Sequence, residues 1–415
     1  MDEKRYIERI DSYIPALDGV RGWAIIMVLF CHVFTDPVFG QYLADNASKV
    51  SQTEFIAKKL AAYGSLGVDF FFVLSGFLIT GILLKSLQHR RYFINFYARR
   101  TLRIFPLYYL YISSVFFLFP IVIASFSSTI PSFYYISYYC YFQNFWTDPS
   151  ANELLQRLLG PMWSLAVEEH FYFVWPAIIW FCVARRMSHE ENYSYGVDGF
   201  KYLRAVTVFL ILVSLSLRCY VFILTDIDSY WSGCWTFCRT DSILIGALLA
   251  ISLRTPTMLF LKKWRFYLLS GSFTLCLTMV VIDATIVFKD RPATNSFGYT
   301  VFAVFFACVL NLILFLPRDN LFLKLFDNRV IRLYGKHSYA IYLTHSLVNA
   351  VICGTMFQYC RWGYFHGAIV YFILSLAGSL LVSWIIWHVF ERHFLELKRF
   401  FEVSLKKDSI KSLKL

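Results

Sequence analysis

The sequence of 415 residues lacks a polar soluble domain, an internal repeat and a low-complexity tract. Charged residues make up only 16% of it, against about 25% in soluble globular proteins. Its ten cysteines are scattered without the paired spacing of a zinc site, and most lie inside apolar runs. We therefore expect neither a disulfide framework nor a protein-bound metal. The first residues mix acidic and basic side chains and lack the pattern of a cleaved signal peptide, so the first apolar segment is expected to be retained.

Apolar residues dominate the chain: 58% are hydrophobic, 20% are aromatic and the mean hydropathy is +0.55. This composition is typical of a polytopic membrane protein, and the sequence predicts an all-α bundle of about ten transmembrane helices. The segment 133–147 is apolar but too short to span, which favours an interfacial or re-entrant piece. The predicted spans are 18–38, 66–87, 103–126, 162–183, 201–224, 238–253, 265–288, 294–316, 333–357 and 362–390.

The basic residues test this count, because short cytoplasmic loops collect lysine and arginine. With both termini cytoplasmic, most of the 39 basic residues fall on the inner side of the predicted membrane. The net charge of +12 therefore reports orientation, and nucleic acid is not an expected partner.

Two ionisable residues, Arg21 and His32, lie in the first predicted span, in LDGVRGWAIIMVLFCHVF. Eleven steps of 100° amount to about three turns plus 20°, so both side chains lie on one helix face. Their separation of about 16 Å along the helix predicts the arginine near the inner surface and the imidazole near mid-depth. An imidazole can take a proton from a hydroxyl and return it, whereas an arginine suits a phosphate. The alternative is a histidine that only makes hydrogen bonds within the bundle.

A group of arginines opens the third predicted span, in RRYFINFYARRTLRIFPLYY. Arg99, Arg100 and Arg103 occupy little more than one helical turn, and Arg100 and Arg103 share a face. Such a group at a membrane surface suits a ligand with several phosphate charges. The alternative is a topology signal alone, since cytoplasmic flanks collect arginine. Pro106 predicts a bend near the start of the helix.

Two carboxylates lie in apolar surroundings. Glu168, in PMWSLAVEEHFYFVWP, and Asp69, in LGVDFFFVLSGFLITG, are candidates to orient the imidazole or to hold a sugar hydroxyl. For Glu168 the alternative is a side chain that reaches the outer interface. The small pair Ser75 and Gly76 predicts a close approach between helices.

Other polar residues lie near the ends of predicted spans. Trp163, Arg239 and Asp241 are candidates for binding an acceptor at the outer side. His337 and His345, in GKHSYAIYLTHS, are expected to make structural hydrogen bonds.

Seven ordered blocks resemble the acyltransferase type 3 family of integral membrane acyltransferases, which modify polysaccharides, lipids and antibiotics. The resemblance implies about ten helices, an arginine and a histidine required for activity in the first span (Arg21 and His32), and an arginine pair that handles acyl-CoA (Arg100 and Arg103). Glu168 matches the glutamate of the block WSLAVEEHFYFVWP. The other blocks, besides LDGVRG and its histidine, are LGVDFFFVLSGFLI, FYARRTLRIFPLYY, WSLAVEEHFYFVWP, CRTDSILIGALLA, GKHSYAIYLTHS and ERHFLELKRF.

The expected protein is a transmembrane O-acyltransferase of the inner (cytoplasmic) membrane, most simply an O-acetyltransferase. It would move an acyl group from cytoplasmic acetyl-CoA or another acyl-CoA to a hydroxyl of a cell-envelope polysaccharide or glycolipid. Acyl-CoA is then a substrate, with no permanently bound cofactor, and membrane lipids surround the protein. The expected division is a transmembrane domain, 1–395, and a basic cytoplasmic tail, 396–415.

The sequence leaves alternatives open. His32 can act as general base for direct transfer, or it can carry the acyl group briefly as an acyl-imidazole. A secondary transporter that uses His32, Asp69 and Glu168 as a proton relay is a different class of function. Acylation of a small molecule such as an antibiotic keeps the chemistry and changes the acceptor.

Overall fold

The computed structural model describes residues 13–37, 52–118, 132–146, 153–183, 197–224, 233–285, 294–317, 319–359 and 364–401. Within these ranges the regular structure is entirely helical, as expected. The N-terminal residues 1–12 and most of the predicted tail, 402–415, lie outside the described residues.

The described helices are numbered in chain order. They are α1 Pro15–Phe34, α2 Gln52–Ala61, α3 Gly67–Ser86, α4 Tyr92–Ser113, α5 Ser132–Tyr139, α6 Glu153–Leu159, α7 Trp163–Val183, α8 Val197–Leu224, α9 Thr236–Ser252, α10 Thr257–Thr285, α11 Tyr299–Phe315, α12 Leu321–Phe326, α13 Arg329–Lys336, α14 Ser338–Tyr359, α15 Tyr364–Ile386 and α16 Arg392–Glu396.

Seven helical stretches of the described chain are long and apolar enough to cross a membrane, so this is a multi-pass membrane protein. Several of them join an α-helix to a neighbouring 3₁₀ or π turn. The stretches are Pro15–Phe34, Ile56–Ser86, Tyr92–Leu118, Gly199–Phe222, Thr257–Asp283, Thr294–Phe315 and His366–Phe401.

The three other predicted spans coincide with α7, α9 and α14. Helix α9 has 17 residues, slightly fewer than the roughly 20 that a bilayer requires. Helices α7 and α14 carry polar side chains such as Glu168 and His345, which lower their mean hydropathy. The count of ten spans and the cytoplasmic side of both termini therefore stay predictions.

Two helix boundaries differ from the sequence expectation. Helix α1 ends at Phe34, so His32 lies in its last turn and not halfway along a span that ends at residue 38. Helix α4 begins at Tyr92 and continues through Pro106, so the arginines lie two to three turns inside the helix and the proline does not mark its start.

Helices α3 and α9 form an extensive contact, and two glycines make it possible. A Cβ atom added at Gly76 would lie 1.8 Å from the Ile243 carbonyl oxygen, and one added at Gly246 would lie 1.9 Å from the Val73 carbonyl oxygen. The predicted close approach at Gly76 is therefore confirmed. The contact between α3 and α9 brings Asp69 and Arg239 together.

Helix α1 packs closely on α13 and also contacts α3 and α14. A Cβ atom at Gly22 would lie 2.0 Å from the Ile331 carbonyl oxygen, and one at Gly335 would lie 1.7 Å from the Asp18 carbonyl oxygen. The two glycines therefore allow the backbones of α1 and α13 to come into contact.

The segment 132–146 contains the eight-residue helix α5 and a turn in which Tyr141 has a φ of 59°. Gln143 donates to the Met162 carbonyl oxygen at 2.9 Å, and the amide of Asn144 donates to the Thr236 hydroxyl at 2.8 Å. The described part of this segment therefore packs into the bundle beside α7 and α9, and α5 is too short to span.

Candidate active site

His32 forms a pair with His345, a residue from the other end of the chain. Nδ1 of His32 lies 2.8 Å from Nε2 of His345, and the two rings stack at 4.8 Å between centroids with an angle of 15°. Helix α1 supplies the first imidazole from its last turn, and α14 supplies the second, which is fully buried. Nδ1 of His345 lies 2.7 Å from the Tyr342 carbonyl oxygen.

These contacts assign the protons of the pair. A carbonyl oxygen only accepts, so Nδ1 of His345 carries its hydrogen and Nε2 of the neutral ring is an acceptor. Nδ1 of His32 must then donate, which leaves the Nε2 lone pair of His32 free. A free lone pair is what a general base or a nucleophile needs. The predicted hydrogen bonding of His345 is confirmed, but no local pattern in YLTHS pointed to His32 as its partner.

His32 faces a cavity of about 300 Å³, here called the histidine cavity. Exposed side chains such as Thr35 and Glu153 lie at its rim, and the ring of Trp163 forms part of its wall. It is lined by His32, Thr35, Asp36, Pro37, Glu153, Gln156, Arg157, Gly160, Pro161, Trp163, Ser346 and Asn349.

Polar groups of this cavity are held in place by one another. Arg157 donates to the buried carboxylate of Asp36, which also accepts a hydrogen bond from the Tyr371 hydroxyl at 2.8 Å. Burial lowers the pKa of Arg157, but the charge of Asp36 together with the smaller effects of Tyr371 and Cys353 raises it overall. The Ser375 hydroxyl donates to Oδ1 of Asn349 at 2.6 Å, which orients the amide nitrogen of Asn349 as a donor. Within the described chain that nitrogen has no hydrogen-bond partner.

Arg21 faces a second cavity of about 100 Å³, here called the arginine cavity. Arg100 and Arg103 line the same cavity as Arg21. The charges of Arg21 and Arg100 both act on Arg103. The guanidinium of Arg100 lies over the Tyr172 ring, 4.6 Å from its centroid, and Arg21 donates to Asp18 at 2.8 Å. The remaining wall combines carboxylates, hydroxyls and apolar groups, including Glu168, Glu169, Ser75, Ser338, Tyr339, Val68, Phe71, Phe72, Leu74 and Leu78.

A single layer of hydrogen-bonded groups lies between the two cavities. Tyr342 and Ser164 line the arginine cavity, whereas Pro161 lines the histidine cavity. The Tyr342 hydroxyl donates to the Pro161 carbonyl oxygen at 2.8 Å and lies 2.6 Å from the Ser164 hydroxyl. One helical turn after Tyr342, His345 holds His32. The histidine pair therefore lies at the boundary between the cavities.

The expected contact between His32 and a carboxylate is not formed. Glu168 accepts a hydrogen bond from Ser75 at 2.7 Å, inside the arginine cavity. Asp69 binds Arg239 through both oxygens at 2.9 Å and Ser242 at 2.8 Å, and it is fully buried. In the described structure the partner of His32 is an imidazole, because α14 brings His345 to the place where a carboxylate was expected.

Among the three expected acceptor-binding residues, the guanidinium carbon of Arg239 lies 5.6 Å from the Trp163 ring centroid, so these two are neighbours. Trp163 lines the histidine cavity. Arg239 is buried against Asp69, with the ring of Tyr299 at 3.6 Å from its guanidinium carbon. Asp241 is buried in a bidentate pair with Arg218 at 2.8 and 3.0 Å.

Arg99 and His337 also lie away from the histidine pair. Arg99 lines a neighbouring cavity together with Arg100 and Arg103. His337 was expected to be hydrogen-bonded, but in the described residues its side chain meets the Trp387 ring edge-on at 5.7 Å and its Nδ1 is unpaired. None of the described cysteines forms a disulfide.

The described chain is thus a multi-pass helical bundle in which a histidine pair lies between a cationic cavity and a polar one. A family model described as an acyltransferase domain matches residues 14–388. The chain belongs to the acyltransferase type 3 family, as the ordered blocks of its sequence indicated.

Curated relatives cover most of this chain. The O-acetyltransferase OatA of Staphylococcus aureus is 27% identical over 359 residues, which are 83% of this chain and 51% of that protein. The peptidoglycan O-acetyltransferase OatA of Listeria monocytogenes is 28% identical over 361 residues, 82% of this chain and 50% of that protein. A putative O-acetyltransferase of Staphylococcus aureus is 23% identical over 416 residues, 97% of this chain and 58% of that protein. The chain thus spans about half the length of these relatives, and no solved structure matches it.

Proposed function

We propose that this chain is a transmembrane O-acetyltransferase that moves an acetyl group from cytoplasmic acetyl-CoA to a hydroxyl of a cell-envelope glycan, in the cytoplasmic membrane. The observation that carries the proposal is the orientation of His32. His32 lines a polar cavity, its Nδ1 is held by His345 so that Nε2 is unprotonated, and a cationic cavity lies on the other side of one hydrogen-bonded layer.

The donor fits the arginine cavity. Three guanidinium groups are suited to phosphate oxygens, and the aromatic and aliphatic wall around Phe71 and Phe72 suits the pantetheine arm. The thioester then points along α1 toward the layer formed by Tyr342 and Ser164. Arg21 and His32 lie about 16 Å apart along this helix, a length that an extended pantetheine arm can cover.

The acceptor fits the histidine cavity. The face of Trp163 offers a stacking surface for a sugar ring, and the fixed amide of Asn349 offers a donor to a hydroxyl or a carbonyl oxygen. A hydroxyl of the sugar would lie against Nε2 of His32. The name of the Listeria relative makes peptidoglycan the first acceptor to test.

In the transfer, the acceptor oxygen forms a bond to the thioester carbonyl carbon and the carbon–sulfur bond breaks. The hydroxyl proton passes to Nε2 of His32 and from there to the departing CoA thiolate, so atoms and charge balance. His345 accepts the hydrogen bond from Nδ1 of His32 and stabilises the imidazolium that forms. In the covalent route, Nε2 bonds to the thioester carbonyl carbon as the carbon–sulfur bond breaks and CoA leaves as the thiolate. The acceptor oxygen then takes the acetyl group from Nε2 and leaves its proton on that nitrogen, from which the proton passes to the thiolate.

The experiment compares purified wild type, His32→Ala and His337→Ala in nanodiscs with labelled acetyl-CoA and glycan strands. His32→Ala should abolish acetyl transfer while it elutes and unfolds like wild type, and His337→Ala, which removes a histidine outside both cavities, should retain activity. Full activity of His32→Ala would contradict the proposal.

A proton relay of a transporter gains no support from the geometry. Neither Asp69 nor Glu168 touches His32, and each is held by other residues. A transporter would leave no acetylated product in the same assay.

A further inference from the structure

A second cationic cavity adjoins the arginine cavity and contains a lysine to which neither the motifs nor the family resemblance assigns a role. Its volume is about 110 Å³. Arg100 and Arg103 line both cavities, so the two share a wall. It is called the Lys398 cavity and is lined by Ile82, Ser86, His89, Tyr92, Asn95, Phe96, Arg99, Arg100, Arg103 and Lys398.

The Lys398 cavity joins two distant parts of the chain. Helix α4 supplies its arginines, and Lys398 comes from the turn Leu397–Phe401, which packs against α4. The turn at the start of the predicted tail therefore packs against the bundle.

Four positive charges converge on this cavity. The charges of Arg99, Arg100 and Arg103 all act on Lys398. Within the described ranges none of the four forms an ion pair. The charge of Glu391 acts on Arg103 and Lys398, but it lies beyond ion-pair distance of both. The charges of Glu168 and Glu169 also act on Arg100, and that of Glu168 acts on Arg103, but no carboxylate is among the described residues that line the Lys398 cavity. The cavity is therefore a net positive site, which a ligand with several negative charges would stabilise.

We propose that the Lys398 cavity binds phosphate groups of the CoA nucleotide, with Lys398 as a donor-binding residue, while the arginine cavity holds the remaining phosphate contacts and the pantetheine arm. The proposal rests on the proposed function, since it concerns the same donor. CoA carries a pyrophosphate and a 3′-phosphate, about four negative charges, which match the four cations. The shared wall at Arg100 and Arg103 lets one extended molecule occupy both cavities.

The test measures equilibrium binding of CoA to purified protein without any acyl transfer. Lys398→Ala should weaken CoA binding about tenfold, the usual loss for one charge-assisted hydrogen bond to phosphate. Lys398→Arg should retain most of the affinity. Pantetheine, which lacks the nucleotide, should bind wild type and Lys398→Ala equally. Lys262→Ala removes an exposed lysine of α10 outside the three cavities and is the matched control.

Dephospho-CoA locates the contact. If Lys398→Ala no longer weakens binding of this ligand, the contact is to the 3′-phosphate, whereas equal weakening assigns it to the pyrophosphate, and both results support the proposal. Unchanged CoA affinity in Lys398→Ala overturns it, and so does an equal loss for pantetheine. Loss of phosphatidylglycerol binding with CoA affinity intact would assign the cavity to a lipid headgroup and also overturns it. Failure of wild type to bind CoA would instead contradict the proposed function.

Discussion

The free lone pair on Nε2 of His32 depends on one residue, His345. If His345 loses its imidazole, His32 no longer has a fixed tautomer, and the imidazolium formed during transfer loses its acceptor. We expect His345→Ala to lower kcat by about 10²- to 10⁴-fold, the range for loss of general-base function. The KM for acetyl-CoA should change little, because the donor occupies the arginine cavity. His345→Gln, whose amide oxygen can accept the same hydrogen bond, should retain more activity.

Steady-state kinetics of the two variants measure this effect. An unchanged kcat in His345→Ala, or a rise in KM alone, would show that His345 does not act through His32.

At the same scale, the sequence identified His32, Arg21, Arg100 and Arg103 because they share faces of single helices, and helical periodicity is visible in a sequence. His345 is separated from His32 by 313 positions, so no local pattern links them. An unpaired carboxylate was the natural candidate for the partner, and tertiary packing supplied an imidazole.

Variants of the buried ion pair of Arg239 and Asp69 distinguish a structural role of Arg239 from a role in acceptor binding. Removing one partner of a buried ion pair leaves an uncompensated charge, which costs about 3–5 kcal/mol. We expect Arg239→Ala to lower the thermal midpoint in detergent strongly, and Arg239→Ala with Asp69→Ala to recover part of the loss. The KM for the glycan should follow only the fraction of folded protein. A raised glycan KM with an unchanged thermal midpoint would place Arg239 in the acceptor site.

At the scale of elements, the contact of α3 with α9 depends on the missing side chain of Gly246. A Gly→Ala change inside a helix normally stabilises it by about 1 kcal/mol. At Gly246 the new methyl group would lie 1.9 Å from a backbone oxygen of α3, so we expect Gly246→Ala to destabilise the protein by about 3 kcal/mol. Gly271→Ala in α10, where nothing lies within 4 Å of the added atom, is the matched control and should be neutral or stabilising.

Thermal unfolding followed by size-exclusion chromatography distinguishes the two variants. Equal behaviour of Gly246→Ala and Gly271→Ala would mean that the helices separate freely at this contact.

The exact helix boundaries could not be predicted from the sequence patterns. Apolar runs located the helices, but the end of α1 at Phe34 and the uninterrupted passage of α4 through Pro106 were not visible in composition. A sequence does not distinguish apolar residues beyond a helix end from those within the helix. An internal proline is tolerated in a membrane helix because neighbouring helices and side chains satisfy the backbone groups that it frees.

At the scale of the whole molecule, the order of the two cavities along the helices defines a direction through the bundle. Along α1 and α14 the arginine cavity comes before the histidine cavity, whereas α7 meets them in the reverse order. This agrees with the predicted alternation, in which the first and ninth spans run outward and the fourth runs inward. The positive-inside bias predicts that the arginine cavity lies on the cytoplasmic side.

The direction predicts sidedness. In sealed proteoliposomes, acetyl-CoA on the side of the arginine cavity should acetylate a glycan enclosed on the opposite side, because each substrate reaches His32 through its own cavity and neither crosses the lipid. Donor and glycan on one side of an intact vesicle should give no product, and detergent, which removes the barrier, should restore transfer in every arrangement. Orientation is read from protease access to a C-terminal tag. Transfer with both substrates on one side of a sealed vesicle would mean that the acceptor enters beside CoA, as an intracellular small molecule would, and that the histidine cavity does not admit the acceptor.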